Sequence, residues 1–262
     1  MIRNTIWKST FREIRQSFGR FMAILAIVAL GVAFFSGLKV AKSAMIKTAQ
    51  QYLENTEFYD FRLVSTLGFE EEDVEFFASQ EEVRGAEGSV TWDVLYEIDE
   101  GSGGVIRAHT LTTKVNQVRV LYGRLPERPE ECVVDANLFG EEDLGRAIVL
   151  SSENETEDLD AFSYQEYTIV GIAQSPYYLQ YERGNTSLGS GLVNGFMYLM
   201  PEGFAMDYYT EIFVKFQEDF ALYSDEYKTY IEEREAVWED LTVQAASRRF
   251  YNIQEEAAAE LA

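Results

Sequence analysis

Cys132 and His109 are each the only residue of their type in the chain. One cysteine allows no intrachain disulfide, and a core of about 180 residues buries enough surface without one. Cys132 sits in Glu131-Cys-Val-Val, which reads as a strand, with the thiol as a small buried hydrophobe. His109 has no second histidine or cysteine to join it around a soft metal. No G-x-S-x-G and no Ser–His or His–Glu–His spacing occurs, so nucleophilic and zinc hydrolysis lack their residues. Carboxylates are plentiful, and a paired-carboxylate glycosidase stays open on sequence alone. The chain reads as no enzyme and requires no cofactor. The run Glu70–Asp73 has the types for a cation site, but the expected role is a solvated helix start, with acids at the positive end of the dipole. Asn154-Glu-Thr and Asn185-Thr-Ser fit the glycosylation pattern.

A second group is chemical in a different sense. Pro176–Gly191 carries Tyr177, Tyr178, Tyr181 and Arg183 among glycines and serines. Aromatic side chains on a loop suit contact with a peptide or protein partner. The competing role is to pack back onto a sheet.

Charge narrows the partners. Residues 41–262 hold 16 Lys and Arg against 44 Asp and Glu, a net of −28. Nucleic acid is excluded, because its affinity depends on basic side chains neutralising phosphates. An acidic surface of this kind also does not lie flat on anionic lipid. Its plain meaning is solubility.

The element that positions everything else is FMAILAIVALGVAFFSGL, Phe21–Leu38, uncharged and flanked by Arg20 and Lys39. Eighteen helical residues reach about 27 Å, close to the ~30 Å hydrocarbon core of a bilayer. Lys39 can snorkel, so the span extends through Ala41. A buried soluble helix would show a polar face. A cleaved signal would have a shorter basic region and a shorter apolar stretch, and Ala41-Lys42-Ser43 is a poor cleavage site. Residues 1–20 place Ile2, Ile6, Trp7, Phe11, Ile14 and Phe18 at helical spacing, with Arg3, Lys8, Arg12 and Arg15 mostly elsewhere on the wheel. Such a helix lies in a membrane interface, with Trp7, Arg12, Arg15 and Arg20 as anchors to lipid. Five basic residues precede the span against one acid, and three lysines, Lys39, Lys42 and Lys47, follow it closely; the modest bias places the N-terminus in the cytoplasm and the remainder outside.

After the span, helix is expected through residues 41–56, then a strand over 58–66 ended by Gly68, then a helix over 69–79. Strands follow at Val90–Ile98, Val105–Thr112, Gln117–Leu121, Val133-Val134, Ala147–Leu150, Tyr167–Ile172, Phe196–Leu199 and Glu211–Phe216. Asp99-Glu-Gly-Ser-Gly-Gly supplies hairpin chemistry. Gly123-Arg-Leu-Pro-Glu-Arg-Pro is a tight loop, and 151–162 is expected to be a mobile acidic loop. From Phe220 onward neither Gly nor Pro occurs. Tyr223, Tyr227, Tyr230, Val237 and Leu241 make an apolar stripe that Arg234 interrupts. Phe250, Ile253, Ala257 and Leu261 resume it. This is a long amphipathic helix, the start of a coiled-coil arm, whose stripe needs a partner from another subunit or a longer chain.

The expected fold class is therefore membrane-anchored α+β: an interfacial helix at 1–20, a transmembrane helix at 21–41, an extracytoplasmic mixed domain at 42–217 and a long helix at 218–262. That order of parts resembles the N-terminal portion of FtsX/MacB-like permeases of ABC transporters. Tyr122-Gly-Arg-Leu-Pro-Glu-Arg-Pro-Glu-Glu-Cys-Val-Val-Asp135 is similar to the family's GR-x-P-x-x-P-x-E-hydrophobic segment. Tyr167-Thr-Ile-Val-Gly-Ile-Ala173 resembles its following strand. Ser175–Gly189 resembles a loop of Gram-positive members that carry a long extracellular helical insert, and Tyr209–Lys215 is also family-like. The resemblance implies a MacB-like core domain and a cytoplasmic ABC ATPase as partner. It implies homo- or hetero-dimers of permeases, and export or mechanotransmission driven by ATP hydrolysis elsewhere. Family members have further spans that this chain lacks, and it carries no G-x-x-x-x-G-K-[ST] of its own. The alternative is a single-span extracytoplasmic sensor or accessory subunit that binds a peptide or envelope ligand.

Overall fold

The structure is a computed structural model. It describes residues 17–98, 102–218 and 224–260, together with Trp7, Phe11, Arg12, Arg15, Phe220 and Ala221. The expectations placed on residues 1–6, Lys8, Ile14, 99–101, Tyr223 and Leu261 lie outside the described residues. Two compact units are present, Met1–Gln51 and Tyr52–Ala262.

In the first unit the apolar run lies within one helix, α1 (Phe18–Asn55), long and apolar enough to cross a membrane and exposed along its apolar window. Helix persists through residues 41–55 as expected. Burial in this helix begins only at Leu53, beyond the unit. Trp7, Phe11, Arg12 and Arg15 are helical and exposed, and Arg20 is exposed at the start of α1.

The second unit is mixed α+β. It contains β1 (Phe61–Phe69), α2 (Glu71–Ala78), β2 (Val83–Ser89), β3 (Thr91–Ile98), β4 (Ser102–Thr110) and β5 (Arg119–Gly123). It continues with β6 (Glu131–Asp135), β7 (Ala147–Leu150), α3 (Thr156–Asp160), β8 (Glu166–Gln174), β9 (Gly195–Leu199), β10 (Tyr209–Phe216) and α4 (Asp225–Glu260).

Strand β8 organises the larger sheet. On one edge it pairs with β6; on the other it pairs with β7 through Glu166–Thr168 and with β5 through Gly171–Gln174. β6 continues to β9, β4, β3 and back to β7. Six strands thus close into a barrel, with β5 extending one edge. Closure removes the free strand edges that invite association. Its interior is a single apolar cluster that includes Val94, Ile106, Cys132, Ile148, Tyr167, Ile169 and Met197. Cys132 is buried, as its strand setting implied.

The smaller sheet has the order β1-β10-β2, both pairs antiparallel. Alternation along β10 sends Ile212, Val214 and Phe216 to a core shared with α2 and α4. Glu211 points to the other face.

Several expectations change. Gly68 does not end β1; the strand runs to Phe69 through a register shift. Gly68 has φ +75, and a Cβ there would meet the Tyr208 ring at 2.5 Å, so the position needs glycine. β2, with Arg84, Gly85, Glu87 and Gly88, was not anticipated, because its residues favour no strand and its state is set by pairing with β10. The segment at 151–162 is not a free loop. It forms α3, Asp158 accepts a bond from Trp92 Nε1 at 3.1 Å, and Asn154 bonds both the N–H and the C=O of Leu95 at 2.8 Å. The sequon asparagine at 154 is therefore buried in use, whereas Asn185 is exposed.

Helix α4 also differs in detail. Its buried face is Tyr230, Trp238 and Ala245, while Val237 is 57% exposed. Arg234 belongs to that face: it lies over the Tyr230 ring at 3.4 Å and donates to Glu82 at 2.6 Å. The first part of the stripe thus finds its partner within its own domain. The acids at the α2 start are not simply solvated. Glu70 and Asp73 pair with Arg249 and Arg248 of α4, and Asp73 caps the Glu70 N–H at 3.0 Å.

Candidate functional site

The motif Tyr122–Asp135 becomes one structural device. Gly123 has φ +76, and a Cβ would stand 2.2 Å from the Val170 carbonyl oxygen, so only glycine lets β5 turn against β8. Arg124 then makes a two-pronged bond to Glu131, at 2.7 Å on each oxygen, and Glu131 also accepts the Glu127 N–H at 2.8 Å. Arg124 and Glu131, the third glutamate of the motif, are the clasp of the loop, and the prolines between them fix its path.

The loop Pro176–Gly191 packs inward at its base. Tyr178 stacks on Phe196 at 5.0 Å and 5°. Its hydroxyl meets His109 Nε2 at 2.6 Å. Tyr177 packs on Phe213 and Tyr59. Arg183 is buried, bonded to both oxygens of Asp135 at 2.5 and 2.9 Å and stacked over Tyr178. These three side chains hold the loop to the barrel, while Tyr181 is 82% exposed. Leu138, Leu179 and Leu192 are exposed nearby. With Tyr181, Leu138 and Leu192 line a 450 Å³ cleft beside Asn137 and Asn194.

Behind the loop lies a buried polar chain between the two sheets. His109 on β4 is 1% exposed. Its Nδ1 is 2.9 Å from Thr91 Oγ1, Thr91 donates to Glu211 on β10, and Arg62 Nε on β1 donates to Glu211 at 2.5 Å. Proton counting assigns the roles. Thr91 has one proton, and the Glu211 carboxylate only accepts, so Thr91 accepts from His109 Nδ1–H. Nε2 is then bare and accepts from the Tyr178 hydroxyl. Burial pushes the imidazole pKa below its ordinary value, which keeps it neutral in this tautomer. Burial alone would raise the Glu211 carboxyl, but the donors around it, Arg62 and Thr91 among them, outweigh burial and hold it below its ordinary value. Burial likewise pushes the Tyr178 hydroxyl well up, so it stays a donor.

This arrangement cannot activate a nucleophile. His109 donates to Thr91 and so is unable to take its proton, and no face of the ring is open to a substrate. Among the described residues no group of three His, Cys, Asp or Glu could hold a metal. What the chain does is tie β1, β3, β4, β10 and the loop to one another. Of the anticipated residues, Tyr177, Tyr178 and Arg183 come together here. Tyr181 stands apart on the surface, and Trp7, Arg12, Arg15 and Arg20 belong to the other unit. Arg62, Glu211 and Asp135 are members of the site that the sequence reading does not reach. Their signal was charge inside otherwise apolar strand runs.

No family model and no curated protein matches the sequence. Solved structures similar to it include the extracellular domain of the noncanonic ABC-type transporter YknZ from Gram-positive bacteria, at 13% identity and TM-score 0.40, covering 66% of this chain and 87% of that one. The periplasmic region of MacB from Actinobacillus actinomycetemcomitans is similar at 11% identity and TM-score 0.39, covering 69% and 76%.

Proposed function

We propose that the chain is the permease subunit of an ABC transporter, or the N-terminal portion of one. In this reading a separate cytoplasmic ATPase hydrolyses ATP and the outer domain moves in response, for export or mechanotransmission. The observation that carries the proposal is one helix, Phe18–Asn55, that is apolar and exposed over its first half and leads directly into a folded α+β unit. Five basic residues before the span, against the three lysines Lys39, Lys42 and Lys47 close after it, support a cytoplasmic N-terminus and an outer domain at the cell membrane. The clasped Gly123–Glu131 loop supports the family resemblance, because the motif residues have a structural reason to occur together. The reading is not enzymatic, and it includes pairing of permeases as homo- or hetero-dimers and contact of residues 1–20 with lipid. The domain division at 1–20, 21–41, 42–217 and 218–262 is part of it.

Cysteine labelling tests the orientation without removing the native thiol, since burial closes Cys132 and pushes its pKa up. Tyr181→Cys should react with a membrane-impermeant maleimide on intact cells, and Arg12→Cys only after permeabilisation. The tagged chain, solubilised from membranes, should co-purify with a polypeptide bearing G-x-x-x-x-G-K-[ST]. Reversed labelling, or purification with no nucleotide-binding subunit, overturns the proposal.

A further inference from the structure

A second cleft, of 410 Å³, lies beside the buried polar chain. It is lined by Arg62, Thr91, Trp92, Asp93, Arg107, Asp158 and the loop residues Thr186–Leu188. That volume is in the range of ligand-sized pockets. Its two guanidinium groups are each held on one side only. Arg62 uses Nε on Glu211. Arg107 uses Nε and Nη2 on Asp93, at 2.5 and 2.7 Å, with Nη2 also on the Asn185 carbonyl. Among the described residues, Arg62 Nη1 and Nη2 and Arg107 Nη1 make no hydrogen bond. Asp158 accepts from Trp92 on Oδ1 and leaves Oδ2 without a partner there. The cleft therefore has guanidinium N–H groups pre-set by buried or half-buried carboxylates, a free carboxylate oxygen and an indole wall.

We propose that this cleft binds the carboxyl terminus of a short peptide. A terminal carboxylate accepts from Arg62 and Arg107, and a backbone N–H of the peptide donates to Asp158. The local charge selects among anions. Glu211, Asp93 and Asp158 together outnumber the two arginines by one charge, so each further charge on a ligand adds repulsion: a singly charged carboxylate is disfavoured less than a phosphate dianion, and its binding rests on the free guanidinium N–H groups. The inference does not rest on the orientation or on the ATPase partner, because the chain could label in reverse or purify without a nucleotide-binding subunit and still bind.

The test is calorimetric titration of the full chain in lipid nanodiscs. The probes are tri-L-alanine free acid, tri-L-alanine amide and inorganic phosphate. Saturable binding of the free acid is expected, with the amide about tenfold or more weaker, the loss of one charge-assisted bond pair. Arg62→Gln should weaken the free acid by a similar factor. The comparison of acid with amide uses the unaltered chain, so it stands even if the variant does not fold. Failure of the free acid to saturate, equal binding of the amide, or tighter binding of phosphate overturns the proposal.

Discussion

Replacing Trp238 with alanine should loosen α4 from its domain, and replacing the adjacent Val237 should not. Trp238 is 2% exposed. Its ring lies 5.7 Å from Phe77 at 20°, 5.3 Å from Phe216 and 5.7 Å from Phe61. Its Nε1 donates to Glu82 at 2.7 Å. A buried tryptophan removes about 150–250 Å² from water, which at about 25 cal/mol per Å² gives an upper bound of about 4–6 kcal/mol. Large-to-small core substitutions measure about 3–5 kcal/mol. Glu82 keeps Arg234 as a partner, so no bare charge is left behind. The expected loss is about 4 kcal/mol, set by the apolar term. For a domain of this size that lowers the melting temperature by about 8–16 °C. Val237→Ala, at a 57% exposed position, should cost about 0.5 kcal/mol or less. Circular dichroism melts of both variants give the comparison, and hydrogen exchange along α4 shows whether the helix detaches before the sheets. Equal shifts, or a larger shift for Val237→Ala, would mean that the helix buries a different face.

Breaking the buried Arg183–Asp135 pair by Asp135→Ala should cost about 3–5 kcal/mol, because it strands a guanidinium that is 7% exposed; a melt no lower than that of the parent refutes this. Gly123→Ala should destabilise by about 2 kcal/mol or more, through strain at φ +76 and the close Val170 carbonyl, read as a drop in the urea midpoint. His109 is the only histidine, and its folded pKa is depressed. Its contribution is present above the unfolded value of about 6.5 and is lost as pH falls toward the folded value. Stability should therefore decline below about pH 6.5, by up to about 1.4 kcal/mol per pH unit. His109→Gln should flatten that decline, and parallel pH profiles for parent and variant would show that the imidazole is not held neutral.

The parts of the fold that were legible are those whose state is decided locally. The run Phe21–Leu38 carries no charge and is helical throughout, and β6, β7 and β9 are dense in β-branched or aromatic residues. What was not legible depends on distant partners. β2 is a strand because β10 lies beside it. The buried face of α4 is offset from the stripe that the spacing suggests, because one residue on a helix is a rotation of about 100°, and Arg234, which breaks that stripe in the sequence, stacks on Tyr230. The acids at the α2 start are met by arginines more than 170 residues later. Of the candidate loop, sequence located the aromatic residues but not their direction. His109 looked inert for want of metal partners, and its true partners, Thr91, Glu211 and Tyr178, come from three other segments.

The pairing of β1 with β10 also sets how the domain bears load. Phe61 lies opposite Val214, and Asp60 accepts the Phe216 N–H at 2.8 Å, so the first strand begins where the last one ends. Tension applied through α1 and α4 would pull on the same end of this antiparallel pair. The ladder would then be opened like a zipper, one rung at a time, instead of being sheared with all rungs resisting together.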